Sequence, residues 1–501
     1  MMDFETQLKK LKYLTLKQVS TLAKENKLTK ETIEKIPYNI IEGDKANYRC
    51  CIYRERAVVL QRAQLASGYV PNDNIIDDLV DMDEYNHVMY VLPAACDKCP
   101  IHQYTVTEVC RGCIQHKCME VCPVNAITRV QGRAYINHDI CVECGMCKKV
   151  CPYNAIVQVN RPCKISCPTG ALEIDSKSKR AKIDKENCIN CGACMVACPF
   201  GAIADKSYIV PVTQALVDKK KDVYAVVAPS IVGQLENKIT IGMIKDSLKK
   251  IGFKDMIEVA CGADAVTVHE SKEFTERMKN DNKYMTTSCC SSFVEYIEKK
   301  FSDQISNIST TVSPMVAVGR MIKQQNNNAI IVFIGPCTSK KAEITRENVK
   351  DSVDYVLTFE EAIALLGAFN IKIEECKDLV VEDATIYGRG FAQAGGVTAA
   401  IQSYCKEKEI DIELKPVKVS GKDAIKKAMT MAKVGRVGGN FIEGMMCEGG
   451  CINGAGIIKS MIKSKGQLVK FNNSSQKKSI KDNNQMKQFK NVNMKTRKNN
   501  E

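Results

Sequence analysis

The sequence predicts a multidomain α+β protein, and three observations lead there. A chain of 501 residues exceeds what one core usually supports, and its length suggests about three domains. Sixteen of the 26 cysteines crowd between Cys96 and Cys198, a density expected of a segment organised around metal. After Asp205 the texture becomes alternating apolar strands and amphipathic helices, the pattern of an α/β domain.

The segment 1–93 is charged and helical by pattern, with Leu16 to Val19 and Ile33 to Ile41 as packing faces. Its position suits either covering the cysteine-rich segment or docking a partner, and the sequence does not choose. No apolar run approaches the roughly 18 residues of a membrane helix, so no membrane association is expected. The opening Met1-Met2-Asp3-Phe4-Glu5 lacks the features of a secretory signal or transit peptide. The expected location is cytoplasmic, with an anaerobic organelle as the alternative.

The net charge of +14 does not signal nucleic-acid binding on its own. Residues 466–501 hold nine Lys and Arg against Asp482 and Glu501, in a stretch rich in Asn, Ser and Gln. Composition predicts a disordered, solvated basic tail there. Aromatic residues are 6% of the chain and Trp is absent, which disfavours platforms for stacking bases.

The cysteine spacing separates metal from disulfide. Cys141, Cys144, Cys147, Cys151 and Cys188, Cys191, Cys194, Cys198 are complete C-x2-C-x2-C-x3-C-P runs. Cys110, Cys113, Cys118 and Cys122 form a third with a longer middle gap. Cys163 and Cys167 are a stub, and Cys96 with Cys99 an isolated pair. In such runs three close thiolates hold one iron–sulfur cube, and the Cys before Pro ligates its neighbour. That rule groups Cys110, Cys113, Cys118 with Cys151, then Cys141, Cys144, Cys147 with Cys122, then Cys188, Cys191, Cys194 with Cys167. Elimination leaves Cys96, Cys99, Cys163 and Cys198 for a fourth 4Fe-4S cluster. Structural zinc is the alternative, although zinc ribbons do not need the Cys-Pro exit. The segment resembles bacterial dicluster ferredoxins twice over, which implies a wire for single electrons.

Beyond Asp205, reactive groups follow strand-like runs. Val223 to Val227 leads to Pro229-Ser230, and Ala329 to Ile334 leads to Gly335-Pro336-Cys337. Thr287-Ser288-Cys289-Cys290 precedes a helix bearing Phe293, Ile297 and Phe301. Loops at strand ends and helix N-termini suit ligand binding. A third motif, Glu443-Gly-Met-Met-Cys447-Glu-Gly-Gly-Cys451, completes a set in which Cys290, Cys337, Cys447 and Cys451 suffice for a fifth cube.

The motifs at 287–290, 335–343 and 443–451 resemble the three signatures of [FeFe]-hydrogenases, in order and after a ferredoxin-like region. The resemblance covers roughly 90–465 and is nearer the divergent group B branch. Ser291 stands where the usual form has Pro, and Gly335 where it has Met. The resemblance implies tandem ferredoxin-like domains at 94–210, an H-cluster domain of mixed sheets flanked by helices at 211–465, and the tail at 466–501. It implies that Cys290, Cys337, Cys447 and Cys451 hold the cube of an H-cluster, with Cys451 bridging to a diiron subcluster carrying CO, cyanide and a dithiolate. Lys340 and the Pro229-Ser230 backbone would donate to the cyanides, and Phe391 and Met445 would line the pocket. Cys289 would relay protons through Glu270, Ser309 and Glu273. The Glu pair stands one residue closer to Cys289 than usual, and solvated helix glutamates remain the alternative for it.

The implied function is reversible proton reduction to hydrogen, with electrons exchanged with ferredoxin and the cluster installed by hydrogenase maturation enzymes. Two rivals stand: a hydrogenase-like iron–sulfur assembly protein without the diiron site, and a hydrogen sensor. Retention of Cys289, Lys340 and Pro229-Ser230 argues against the first. The lack of a visible signalling domain argues against the second. No flavin, nicotinamide or phosphate loop is present; Gly388-Arg-Gly390 lacks the rest of a dinucleotide motif. Cys50, Cys51, Cys261, Cys376 and Cys405 are expected to be small buried hydrophobes. Oligomeric state is not legible.

Overall fold

The computed structural model describes residues 4–71, 87–97, 99–280, 282–410 and 412–496. Parts of the expected N-terminal segment and of the expected tail, at 72–86 and 497–501, lie outside these described residues.

Three helices open the chain: Gln7–Lys24, Lys30–Ile40 and Ile52–Ala66. Thr6 caps the first by accepting from the Lys9 amide, and Thr29 with Thr32 forms a capping box on the second, satisfying amides that a helix start leaves open. Val19, Ile33 and Ile36 are buried in the same core as Ile209, Val212 and Leu216. Full burial of such a side chain stabilises by about 1.5–3 kcal/mol, so the three helices are bound to the second half by ordinary core packing. From the third helix, Val58 and Leu65 pack against Leu92, Ala94 and Cys198. Of the two roles left open for this segment, the structure displays covering.

The cysteine-rich part is built from four short antiparallel pairs. Met89–Val91 pairs with Ile203–Asp205, Tyr104–Val106 with Ile156–Gln158, Ile127–Val130 with Arg133–Ile136, and Leu172–Ile174 with Ala181–Ile183. Each cysteine run turns into a short helix through a left-handed residue. Gly145 and Gly192 take φ of +73° and +72°, and His116 takes +45° at the same offset from Cys118. The side chains at Gly145 and Gly192 are excluded for a second reason. A Cβ would stand 2.4 Å from the Tyr104 hydroxyl in one case and 2.4 Å from Ala455 Cβ in the other.

The second half contains two sheets. One orders Asp255–Glu258, Val223–Val227, Ile330–Gly335 and Tyr355–Thr358; the other orders Met285–Thr286, Phe441–Met445 and Pro416–Ser420. Every pairing in both is parallel. The mixed sheets expected at 211–465 are therefore parallel throughout among the described residues. Parallel strands need crossover connections, and helices supply them here. Val259–Lys279 packs against Pro314–Gln325 and Gly396–Glu407. All the motif loops leave the carboxyl ends of strands, where open sheets place their ligands.

The expected disordered tail is corrected by the structure. Met461–Ser474 is a helix, and the chain beyond it is bonded to the second half through residue 496. Leu468, Ile480, Phe489 and Met494 are buried, while most of the intervening Lys face outward. Composition averages over such sparse anchors and misses them. The cysteine expectation also needs correcting. Cys261 and Cys376 are buried and Cys405 half-buried, but Cys50 and Cys51 are exposed, because they sit in the bend that starts the third helix. No helix among the described residues is long and apolar enough to cross a membrane.

Candidate metal centre

A cavity of about 90 Å³ lies between the two sheets. Its wall is drawn from the four strand-end loops and the elements around them. Pro229 and Ser230 follow Val223–Val227, Pro336 and Cys337 follow Ile330–Gly335, Cys289 and Cys290 follow Met285–Thr286, and Met445 ends its own strand. Lys340, Phe391 and Cys451 complete the set, with Ala260, Ala263 and Met315 supplying apolar wall. Every expected lining residue is thus brought to one place.

Cys447 stands just behind the wall. Burial pushes its thiol well up, and the charges of Cys337, Cys290, Cys451 and Cys191 push the same way. Burial likewise raises Cys451 to about 12, with Cys290 and Cys337 as its nearest charged neighbours. Four thiols from three distant segments therefore share one buried volume. Cys447 and Cys451, held this high, are protonated near neutrality, and a metal that binds them must displace protons.

The same mutual influence sorts the other cysteines. Cys118 is raised by burial and by Cys113, Cys151 and Cys110. Cys147 is raised by burial and by Cys141 and Cys144, and Cys122 packs into its apolar cluster. Cys188, Cys191 and Cys194 each feel Cys167. Cys163, pushed up to about 11 by burial, feels Cys198, Cys99 and Cys96, which is the set reached by elimination. Among the described residues no three Cys, His, Asp or Glu side chains meet closely enough for a single ion.

The set at Cys188 to Cys194 has neighbours on two sides. Cys194 lies within electrostatic reach of Cys163, and Cys191 of Cys337. The loop carrying Cys191 docks on the second half through Thr338 Oγ1, which donates to Asn190 O at 2.7 Å. Lys299 Nζ donates to Cys188 O at 2.6 Å beside it.

Lys340 is buried in the wall, donating to Cys289 O at 3.1 Å and to Glu343. Burial alone would lower its pKa, but the Glu343 charge outweighs this and holds the ammonium above its ordinary value. Glu343 is held below the usual carboxylate range against its own desolvation by Lys340, Ser313 and Ser291. Ser313 Oγ and Ser291 Oγ donate to it at 2.5 and 2.7 Å. Ser230 is fully buried at the wall, and its Oγ has no hydrogen-bond partner. A buried hydroxyl without a partner costs roughly 1–3 kcal/mol, so it is a donor waiting for an acceptor in the cavity.

On the other side of Cys289 stands Glu270, fully buried, with neither carboxylate oxygen in a bond of good geometry. Burial first, then the Glu273 charge, push it to about 8. Cys289 is pushed well up by burial and next by Glu270. Glu273, three residues on, has the opposite fate. Its desolvation is overcome by the Thr310 amide, Arg277 and the hydroxyls around it, which hold it below the ordinary value. Ser309 Oγ donates to Glu273 at 2.8 Å and Arg277 at 2.7 Å. The solvated-helix alternative fails for Glu270, which is 0% exposed.

Two further residues were not singled out in the sequence: Glu343, and Glu443, which accepts from the Gly395 and Thr398 amides at 2.7 and 2.9 Å. Both stand inside the cysteine motifs, at the last position of one and the first of another. A buried acid beside thiol ligands was the available signal.

The fold and the grouping of thiols define an iron–sulfur protein with an apolar pocket beside one group of thiols. Residues 221–455 match the family described as iron only hydrogenase large subunit, C-terminal domain. Residues 161–202 match a 4Fe-4S dicluster domain and 134–157 a 4Fe-4S binding domain. The likeness to the iron-only hydrogenase family thus lies in residues 221–455, somewhat less than half of the 501-residue chain. Iron hydrogenase 1 of Clostridium pasteurianum is 28% identical over 303 residues, 50% of this chain and 53% of that one. A probable cytosolic Fe-S cluster assembly factor of Anopheles gambiae is 25% identical over 272 residues, 44% of this chain and 57% of its own length. A solved [FeFe]-hydrogenase HydA1 variant from Chlamydomonas reinhardtii aligns with a TM-score of 0.47 at 19% identity, covering 55% of this chain and 92% of that one. The chain spans about half the length of the first of these relatives.

Proposed function

We propose that this protein is a [FeFe]-hydrogenase, converting two protons and two electrons to hydrogen and back. The observation that carries the reading is the meeting of Cys289, Lys340, Ser230, Phe391 and Met445 with three of the four cube thiols around one cavity. An assembly protein that holds only a cube has no use for a buried cation, an unpartnered hydroxyl and a spare thiol beside it.

The residues fit the H-cluster. Cys290, Cys337, Cys447 and Cys451 would hold its cube, with Cys451 shared with the diiron unit, and Ser230 Oγ is a buried donor still unpartnered. When bound, the cluster supplies an open iron for hydrogen and a basic amine. Lys340 and the Pro229-Ser230 loop would donate to its cyanide ligands, and the apolar wall would limit the access of bulk water. Cys289 passes protons between the cavity and Glu270, which is protonated near neutrality and so able to give and regain a proton. Ser309 connects that carboxyl to Glu273, whose ionised form faces Arg277.

Electrons would reach Cys191 and Cys337 through four 4Fe-4S clusters, the set of Cys110, Cys113, Cys118 and Cys151 being remote in chain order and the set of Cys188, Cys191, Cys194 and Cys167 adjacent. Ferredoxin or a similar small carrier would supply them. Hydrogenase maturation enzymes would install the diiron unit, and the site of action would be the cytoplasm.

A second reading is an iron–sulfur assembly factor, favoured by the likeness to proteins of that name. Infrared spectra of protein matured anaerobically with the hydrogenase maturation enzymes separate the two. The expected result is iron-bound CO and cyanide bands together with hydrogen evolution. Cubes present but bands absent, with a control hydrogenase matured in parallel, would turn the conclusion to assembly. Bands without turnover would turn it to sensing.

A further inference from the structure

The carboxylate of Glu273 is held by an unusually complete cradle. It accepts from Ser309 Oγ at 2.8 Å, Thr310 N at 2.8 Å, Thr310 Oγ1 at 2.9 Å, Thr311 Oγ1 at 2.9 Å and Arg277 at 2.7 Å. The Thr311 hydroxyl donates to Glu273, so at the same oxygen it accepts from His269 Nδ1 at 2.8 Å. Four of the five donors come from one three-residue stretch, 309–311, which has no regular secondary structure of its own. Something else must fix its backbone.

The Met285–Thr286 strand holds one end, with Ser309 N donating to Thr286 O at 2.9 Å, and the C-terminal segment holds the other side. Thr496 N and Thr496 Oγ1 both donate to Thr310 O, at 2.7 and 2.9 Å. Val312 N donates to Met494 O at 2.8 Å, and Thr311 pairs with Lys495 in an antiparallel bridge. Arg320 NH1 donates to Asn493 O and Lys495 O at 2.6 and 3.1 Å, fixing the segment from the helix below. Phe489 and Met494 bury their side chains in the main core just before these contacts, so the strap arrives with a defined register. Further back, Asn483 donates to buried Asp264 at 2.8 Å and to Asp383 O at 3.0 Å.

We infer that residues 483–496 form a positioning strap for the proton exit, and that Thr496, by holding the Thr310 carbonyl, keeps the 309–311 donors aimed at Glu273. The inference rests on the hydrogenase reading, because it gives the exit carboxylate a job. Thr496 touches no reacting atom; it acts through Thr310. The charged and titratable groups around Glu273 are Glu270, Arg277 and His269 on its own helix, with Lys495 of the strap within electrostatic reach of His269. A displacement of the cradle by a fraction of an ångström breaks donor geometry, since these bonds weaken steeply with misalignment.

The test compares the full chain with two variants after identical maturation. One ends at Met494, which keeps the buried anchors and removes Lys495 and everything after it. The other is Thr496→Pro, which removes both donors at a single position, with Thr496→Ser as the conservative control that keeps both. The expected result is hydrogen evolution lowered about tenfold in the shortened and Pro forms, with unchanged CO and cyanide infrared bands. Added imidazole buffer should restore much of that loss by carrying protons in place of the misaligned exit, and the Ser form should match the full chain. Buffer rescue is a readout that a merely structural role would not move. Full-chain rates in the shortened form, or a loss that imidazole does not relieve, would overturn the strap while leaving the hydrogenase reading intact. A full chain with cubes but neither infrared bands nor hydrogen would overturn that reading, and the strap's role with it.

Discussion

The cysteine-rich part and the pocketed domain hold their thiols by opposite means. In the first, three ligands of each run lie within a few residues on a loop turned by a left-handed position such as Gly145 or Gly192. Short antiparallel pairs suffice to support them. In the second, Cys290, Cys337 and Cys447 come from loops after three different strands in two sheets, and only the packed domain makes them neighbours. Local ligand sets are robust to what happens far away, whereas a dispersed set reports on the whole domain. The difference also divides the chemistry. Half-exposed loops suit electron exchange at short range, while an apolar cavity suits a reaction that must govern its own protons.

Substitutions can break this contrast at graded depth. The largest effect is expected for Cys451→Ala, which removes a cube ligand and the bridge together. Diiron infrared bands should vanish and hydrogen evolution fall to background, while the four ferredoxin-type cubes persist in iron content. A normal diiron spectrum would rule out the bridging role. Next is Cys289→Ala, which touches no cluster ligand. All clusters and infrared bands should remain while turnover falls about 10²–10⁴-fold, the usual worth of a positioned proton-transfer group. Unchanged hydrogen evolution would remove Cys289 from the relay.

Cys163→Ala tests the cysteine-rich side. One cube of four should be lost by iron analysis, with activity from a small soluble reductant only partly reduced, because the neighbouring set at Cys188 to Cys194 is complete without it. Retention of all iron would break the grouping with Cys96, Cys99 and Cys198.

The smallest effect concerns stability. Glu270 lies at about 8 against an ordinary 4.5, so between those values the folded chain keeps a proton that the unfolded chain has released. Stability from this group is therefore fully present below pH 4.5 and is lost as pH rises through about 8. Glu258 and Asp264, raised by burial to about 7 and about 6, slope the same way. The melting temperature of the cube-loaded protein should fall from pH 5 to pH 8, and Glu270→Gln should flatten part of that fall. An unchanged slope would place Glu270 in contact with water.

The legibility of the site followed the same division. The cysteine runs could be sorted by spacing because three ligands of each set are neighbours in sequence, and the cavity lining was reached through motifs that resemble a known family. Glu343 and Glu443 stood inside those motifs unremarked, because a carboxylate's value there comes from burial, which spacing does not carry. Cys50 and Cys51 were expected inside and lie outside, because residue type states a tendency and the bend before the third helix decides the case.

By itself, then, the sequence determined the two kinds of segment, the runs that belong together and the strand-end loops that bear reactive groups. All of these are written in local spacing or periodicity. Only the tertiary structure decided that Cys163 lies within electrostatic reach of Cys96, Cys99 and Cys198, that Glu270 is dry while Glu273 three residues away is cradled, and that the tail packs. Each depends on contacts between residues far apart in the chain. The tail is the clearest instance. Eight apolar side chains among three dozen residues leave composition polar, yet Leu468, Ile480, Phe489 and Met494 each find a buried place, and where they rest is set by the surface they meet.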